Sequence, residues 1–424
     1  MTEESDTGSL STPKNIPLPD AVNRRIAGLL RRHLIRQLAR AARGFGLPVW
    51  IVGGAVRDLW LKRPVLDVDV AVAGDAKVLA LELERRGVGR LVALSEGRFR
   101  VFRLAGLGTE LDLAELERGS IEGDLGRRDF TANAVALTLP GGRPVDPFGG
   151  LRDLGKRRLR AVAEKNFEDD PLRALRAARF LATHGLVPDH ALAGICRRAA
   201  PGLTAVAPER IRAELAKLLE APRAAPALAW AAAAGVLSPA LGLDAPGPQH
   251  WRVEALDAPA LRRLVPEGRR RARLALFAAA LGLSAAEAGR WLNARRWGRE
   301  EAGAVASLLE LAQSAGAART QDAEWRWVRQ AGPRAPEALA LVSAALDPKV
   351  RRRAGRLRRR LAAARRGPRV RGRDVLDWLD LKPGPDVGKL LAELEIAGLS
   401  GRVRTRDQAR KWLVAEGPAI IRSS

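Results

Sequence analysis

Cys196 is the only cysteine in 424 residues, which excludes an intramolecular disulfide and any cysteine-built metal site. A reducing, cytoplasmic setting is therefore expected. Histidine is scarce too. His33, His184, His190 and His250 are scattered and none is followed by aspartate, so no His-Asp pair of the phosphohydrolase type is present and each reads as structural or solvated. Long apolar runs are lacking: the Ala-rich stretch from Ala224 to Leu237 is too short to span a bilayer and carries Pro226 near its start. The first 20 residues are rich in Ser, Thr, Asp and Pro and lack the basic and apolar regions of a secretory signal, which makes them a flexible arm. No regular repeat occurs, which argues against a solenoid. Acidic residues are in deficit, 48 against 73 Lys plus Arg, giving a formal charge of +25 and a pI of about 11.4. That excess favours a polyanionic partner, the alternative being a solvated arginine-rich surface.

The length implies two to four compact units. From about Val49 to Val145, β-branched runs (VWIV, LDVDVAVAG, GRFRVFRL, ELDLAEL, ANAVALTL) alternate with turns and amphipathic segments, the pattern of a small sheet with helices. Beyond Arg160 the strand signals nearly vanish, and Ala, Leu and Arg at helical spacing predict an almost wholly helical remainder. Pro-Gly clusters at 244–248, at Gly332-Pro333 and at 383–385 mark breaks between helical groups. Arginines concentrate at 269–273 and between Arg351 and Arg373, where few acids interrupt them, and both clusters are candidate RNA-facing surfaces.

Leu66-Asp67-Val68-Asp69-Val70 puts two acids at period two. On a strand Asp67 and Asp69 share one face while Leu66, Val68 and Val70 face a core. Two such carboxylates, roughly 6–7 Å apart at Cα, can converge on a pair of divalent cations. Alone, the pattern is better read as an edge strand with a polar solvent face, and its context has to decide. Upstream, Val49–Val52 runs into Gly53-Gly54-Ala55-Val56-Arg57-Asp58, a strand, a glycine turn and a helix start, 13 residues ahead of the acids. Glycines allow close backbone approach and exposed amides suit phosphate, which Arg57 can also meet. Phosphate binding beside metal binding is what nucleotidyl transfer requires. Farther on, Asp170 and Pro171 suit a helix start, after which Arg173, Arg176 and Arg179 form a cationic stripe beside Leu172, Leu175 and Ala178.

GGAVRD followed by DVD resembles the first motif of the class II tRNA nucleotidyltransferase and bacterial poly(A) polymerase family, within the DNA polymerase β superfamily. In the family's order there follow Arg127-Arg128-Asp129-Phe130-Thr131-Ala132-Asn133-Ala134, the element Asp146-Pro147-Phe148-Gly149-Gly150 through Asp153-Leu154, the segment Glu168 to Phe180, similar to the nucleotide-selecting motif, and Glu209 to Leu215, similar to its supporting motif. The matches cover roughly residues 48–220. The resemblance implies that Asp67 and Asp69 hold metal, that Asp112 is the third superfamily carboxylate, that Asp170 and Arg173 read the base edge as a protein template, and that Gly53, Gly54, Arg57, Arg128, Arg176 and Arg179 hold the nucleotide. Relatives place an arginine soon after the Asp112 strand; here Arg118 is shifted by one residue. Leu381 to Leu391 is similar to a family segment in the RNA-contacting body and tail.

The expected fold is α+β: a flexible arm over 1–20, a nucleotidyltransferase head with a mixed sheet over 21–160, a helical neck with the selecting helix over 161–245, and a helical body and tail over 246–424. The expected activity is addition of C and A residues to the tRNA 3′ end from CTP and ATP, with two Mg²⁺ ions. Arg351, Arg352, Arg353, Arg358, Arg359 and Arg360 are expected to contact RNA, and no membrane partner is expected. The competing readings are a poly(A) polymerase or a CC- or A-adding enzyme of the same family, and, more distantly, a non-catalytic helical RNA-binding protein.

Overall fold

The structure, a computed structural model, describes residues 18–95, 100–106, 110–116, 119–243, 253–344, 348–364 and 367–422. Most of the expected arm, Glu117 and Arg118, the 244–248 break and His250 lie outside the described residues. Two compact units are present, Met1–Val206 with Ala234–Leu243, and Ala207–Ala233 with Asp244–Ser424. Residues 161–245, expected as one neck, are thus shared: helix Pro208–Glu220 packs on Pro266–Ala280, whereas Leu237–Leu241 packs on Ala200–Ala205.

The first unit is built on a mixed sheet of β1 (Val49–Val52), β2 (Val68–Val72), β3 (Arg90–Ser95), β4 (Val101–Ala105), β5 (Leu111–Glu115), β6 (Ala136–Thr138) and β7 (Pro144–Val145), in the order β3-β4-β5-β2-β1-β6-β7. Only β2 and β5 run parallel; the other neighbours are antiparallel. β3, an exposed edge strand, is additional to the expected runs. On one face Ile51, Val68, Val70, Leu111 and Leu113 are fully buried, and helix Ala76–Arg85 covers β3 to β5 with Leu79 and Leu83. That helix starts where Asp75 Oδ1 accepts the N–H groups of Lys77 and Val78 at 2.8 and 3.2 Å, an N-cap. On the other face Trp50, Val52, Ala71 and Ala136 pack with Ile121 and Leu125 of helix Ile121–Gly126. This cover stops short of Asp69, which stays exposed on the same face as Ala71. Beyond Arg160 the strand β9 (Val187–Pro188) pairs in parallel with β8 (Arg158–Leu159).

In the second unit, helices Pro266–Ala280, Arg299–Ala317 and Ala335–Ala344 pack together. Gly372–Leu379, Pro385–Leu399 and Arg406–Arg422 enclose a separate core around Val375, Leu390, Leu394 and Leu413. The breaks at Gly332-Pro333 and 383–385 fall where expected, in the short 3₁₀ turn Gly332–Arg334 and at the start of Pro385–Leu399.

Arg269–Arg273 are not a free cationic surface. Arg273 is buried and donates to the carbonyls of Leu256, Leu219 and Ala221 at 2.7–2.8 Å. Arg269 donates to Leu261, Arg262 and Leu264 carbonyls, and Arg270 and Arg271 pair with Glu301 and Glu267. These side chains close the carbonyl-rich ends of neighbouring segments, which need donors. Helix Pro348–Ala363 divides in the same way. Ala354 and Leu357 are buried at helical spacing, while Arg351, Arg352, Arg358 and Arg359 are exposed and Arg353 is half-buried. Arg360, expected to face RNA, is instead bonded with Arg356 to the buried Glu324, at 2.9 and 3.0 Å, and lies over the Trp325 ring. Glu324 would otherwise be a buried, unpaired charge.

Candidate active site

Register places Arg103 on β4, Asp112 on β5, Asp69 on β2 and Val52 on β1 in one row across the open face. Val68, Val70 and Val72 point the other way and are buried, so period two aims Asp69 outward. Leu66, expected to share that core, is 68% exposed. The regular strand begins at Val68, whose N–H meets the Glu110 carbonyl; before that point no ladder enforces alternation. Asp67 therefore stands at the strand's mouth, exposed. Although Asp69 keeps part of its surface open to solvent, the protein packed around it raises its carboxyl above the usual range against the pull of Arg128, and Asp112 and Asp67 add to the rise. Asp112 has both oxygens engaged by Arg103, from Nε and Nη2 at 2.8 Å each.

β1 ends in the glycine turn. Gly53 has φ 69°, and a Cβ there would lie 2.6 Å from Arg128 Nη1 and 3.5 Å from Asp69 Oδ2. Only glycine lets this backbone adopt such a φ with a guanidinium against it. Arg57, one turn into helix Gly54–Trp60, donates to Asp58 through Nε and Nη2 at 3.0 Å and to Asn133 Oδ1 at 2.8 Å. Asn133 donates to Asp129 Oδ1 at 2.8 Å, which also takes the Phe130 N–H; Asp129 Oδ2 takes Arg176 Nε and Nη2 at 2.9 and 2.6 Å. Asp124 receives Arg127 on one oxygen and Arg128 on the other. Each cation is thereby preset by a carboxylate or amide behind it.

The segment expected to select the nucleotide forms helix Leu172–His184. Asp170 has extended backbone, φ −140° and ψ 90°, and its carbonyl accepts the Arg173 N–H at 3.0 Å; the helix begins at Leu172 with Pro171 at its N-cap and no side-chain cap, one residue later than the expected start with Asp170 as cap. Arg173 donates to the Arg127 carbonyl at 2.8 Å, and burial lowers its guanidinium below the ordinary arginine value. Phe180 anchors the helix against Phe130, stacks on His184 and lies under Arg179, 4.5 Å from its ring centre. Burial, with Arg57, Arg63 and Arg179 nearby, drives the His184 imidazole down to about 2, so it is neutral. His184 is structural. The buried thiol of Cys196 is pushed up to about 12, which leaves it inert.

These elements enclose a cavity of about 530 Å³. Its walls carry every residue expected to hold nucleotide, Gly53, Gly54, Arg57 and Arg128 from the glycine turn and RRDFT element and Asp170, Arg173, Arg176 and Arg179 from the start and stripe of helix Leu172–His184, together with Asp69. Asp67 and Asp112 do not line it. Sequence reasoning missed Asp124, Arg127, Asp129, Asn133 and Phe180, which also line it, although Asp129 and Asn133 stand in the quoted RRDFTANA element. It also missed Glu110, which repeats at 110 and 112 the acid spacing of 67 and 69.

The Asp146–Leu154 element is architectural. Asp146 accepts the N–H groups of Gly150 and Leu151 at 2.7 and 2.9 Å, starting helix Gly150–Gly155. A Cβ on Gly150 would lie 2.1 Å from the Thr131 carbonyl oxygen. Buried Asp153 takes Thr131 Oγ1 and Arg160 Nε at 2.8 and 2.9 Å. The helix thus holds the RRDFT turn in place.

Among the described residues no three His, Cys, Asp or Glu side chains converge into a closed metal cage. Mg²⁺ needs none, since it commonly takes one or two carboxylates plus water and substrate phosphates. Asp69, raised by the protein packed around it and by two neighbouring acids, fits such an open-sided site because a divalent cation would relieve that repulsion.

An acidic strand beside an arginine-lined cavity on a small mixed sheet defines a nucleotidyltransferase. Residues 49–160 match the family described as poly A polymerase head domain, and 189–242 match the probable RNA and SrmB-binding site of polymerase A. The chain is 33% identical to the CC-adding tRNA nucleotidyltransferase of Geobacter sulfurreducens over 92% of this chain and 97% of that one. It is 33% identical to the CCA-adding enzyme of Geobacillus thermodenitrificans, over 90% and 95%. The crystal structure of the Bacillus stearothermophilus CCA-adding enzyme in complex with CTP superposes with a TM-score of 0.72 at 26% identity, covering 93% of this chain and all of that one. The chain belongs to the tRNA nucleotidyltransferase and bacterial poly(A) polymerase family. No single helix among the described residues is long and apolar enough to cross a membrane.

Proposed function

We propose that this protein adds C and A residues to the 3′ end of tRNA from CTP and ATP, in the cytoplasm, with Mg²⁺ held by Asp67 and Asp69. The observation that carries the reading is the single cavity in which Asp69, the glycine turn and the selecting helix meet. A bound divalent ion would supply charge neutralisation for the triphosphate and a more acidic 3′ hydroxyl. Arg128, Arg57, Arg176 and Arg179 hold the triphosphate and ribose, each preset by its own partner. Asp170 and Arg173 offer an acceptor and donors to the base edge at the helix start. Asp112 acts beside Asp69 from the neighbouring strand. In the second unit Arg351, Arg352, Arg353, Arg358 and Arg359 meet RNA phosphates, and Arg360 serves the fold. The division into head, neck, body and tail is proposed at the boundaries given above.

The Geobacter relative favours a second reading, CC addition alone, because its match spans as much of the chain as that of the CCA-adding relative. Transcripts of tRNA ending before C, CC or CCA, each incubated with Mg²⁺ and one labelled nucleotide, decide between them. Stepwise C, C and A incorporation supports the full activity. C incorporation without A establishes the CC-adding enzyme, long A tracts a poly(A) polymerase, and no incorporation refutes all three.

A further inference from the structure

Between Asp20 and Asp58 the chain carries no acidic residue. That stretch forms helices Asp20–Leu30 and His33–Gly44, and its arginines divide by what they meet. Arg25 donates to the carbonyls of Leu59 and Arg63, and Arg32 to that of Val65 at 3.0 Å, so both serve the fold. Arg36, Arg40 and Arg43 are exposed, and among the described residues their side chains meet no carboxylate and no carbonyl. Steps of four and three residues put all three on one face of the helix. Like charges at that spacing repel and weaken a helix; packing is carried instead by the buried face of Ile35, Leu38, Ala41 and Ala42. The stripe borders a cleft of about 200 Å³ with an apolar floor of Leu30, Ala39, Leu139 and Pro140. Leu139 and Pro140 stand in the turn from β6 to β7, which packs on Asp20–Leu30: a Cβ on Gly142 would lie 2.9 Å from Leu30. His33–Gly44 itself packs on Ala76–Arg85, the helix that covers the sheet face away from Asp69. The cleft shares no residue with the nucleotide cavity.

We propose that this cleft is an auxiliary site for single-stranded RNA, which lays its phosphates on Arg36, Arg40 and Arg43 and seats one unstacked base on the apolar floor. The site uses none of the residues of the nucleotide cavity. Guanidinium forks match phosphate oxygens, and with no acid on the helix nothing competes for them. An apolar floor suits the face of any base, which makes such binding tolerant of sequence. A duplex keeps its bases stacked and paired, so only a single strand can offer one to the cleft. A membrane surface would call for a broad exposed apolar face beside the charges; here Leu30, Ala39 and Leu139 are recessed and only partly exposed. RNA held behind the sheet adds a second point of attachment, distinct from the basic helix Pro348–Ala363 of the second unit.

The test is binding of a short fluorescein-labelled oligouridylate, followed by anisotropy across salt concentrations. The parent is the full chain carrying Arg351→Gln, Arg352→Gln, Arg358→Gln and Arg359→Gln, so that the second unit's helix does not supply the signal. Adding Arg36→Gln, Arg40→Gln and Arg43→Gln should weaken binding by on the order of tenfold and flatten the log–log salt dependence by roughly 2 units. Lysine at the same three positions should keep most of the slope. An oligonucleotide containing 4-thiouridine should crosslink to the parent at peptides holding Leu30, Leu139 or Pro140. The kcat for incorporation at saturating tRNA should not change. If the added glutamines lower the melting temperature, Arg40→Glu alone carries the same expectation, with a slope change of roughly 1 unit. Equal affinity and slope with and without the three arginines, or crosslinks that map elsewhere, overturn the proposal and leave a solvated helix face. An equal loss for a blunt RNA duplex overturns the single-strand assignment. Unchanged oligouridylate binding, with loss of sedimentation on phosphatidylglycerol vesicles, makes the face a membrane contact instead and overturns the RNA site.

Discussion

Replacing Asp129 with asparagine tests whether the cavity's cations are preset by the acid behind them. Asp129 is 6% exposed at its side chain and Arg176 32%. The substitution removes a charge that receives Nε and Nη2 of Arg176 at 2.9 and 2.6 Å, and it turns one acceptor oxygen into a donor. Breaking a fully buried pair costs about 3–5 kcal/mol; with Arg176 partly in solvent, about 2–3 kcal/mol is expected. The first urea transition should come earlier by about 1 M. Burial works to raise the Asp129 carboxyl, yet Arg176, Asn133 and the Phe130 N–H hold it below the ordinary 3.8. A lowered carboxyl contributes stability above its unfolded value and loses it as pH falls through the folded one. The wild-type advantage should therefore hold from neutrality to about pH 4 and close below it. Because Asn133 links Asp129 to Arg57, the KM for CTP should rise as two cations lose their seats. Equal urea midpoints, or a stability gap that does not shrink at all as pH falls below about 4, would refute the account.

Asp67→Ala and Asp69→Ala should each abolish incorporation with little change in melting temperature, since Val68, Val70 and Val72 keep β2 packed; near-normal turnover by either purified variant sinks the metal assignment. Neutralising Arg351, Arg352, Arg358 and Arg359 together should weaken tRNA binding and flatten its log–log salt dependence by roughly 3 units. Arg360→Ala should lower stability while leaving that slope nearly unchanged, and identical slopes for wild type and the fourfold variant would mark the helix as merely solvated. Arg173→Ala should relax discrimination between correct and incorrect nucleotides by about 1–3 kcal/mol per lost contact, read from incorporation of all four on primers ending before the first C and before A. Uniform slowing would make Arg173 a brace for the Arg127 carbonyl, to which it is bonded.

What the sequence determined by itself was whatever depends on neighbours along the chain. Alternation placed Asp69 opposite Val68 and Val70, the double glycine announced a turn that no side chain tolerates, and the arginine stripe on Leu172–His184 followed from helical spacing. The change from strand to helix beyond Arg160 was legible for the same reason. Pairings between distant segments were not. Leu66 looked like Val68 until the ladder was seen to end between them. Arg273 and Arg352 sit in similar arginine runs, yet Arg273 closes carbonyls 17, 52 and 54 residues away while Arg352 meets solvent. Arg360 differs from Arg359 only because helical phase turns it toward buried Glu324. Asp112 could be recognised as a strand acid, but its pairing with Arg103 across the ladder could not. A charge in the sequence has a sign and a position; its work depends on which opposite charge, carbonyl or water the fold brings within about 3 Å, where the energy of an ionic contact is decided.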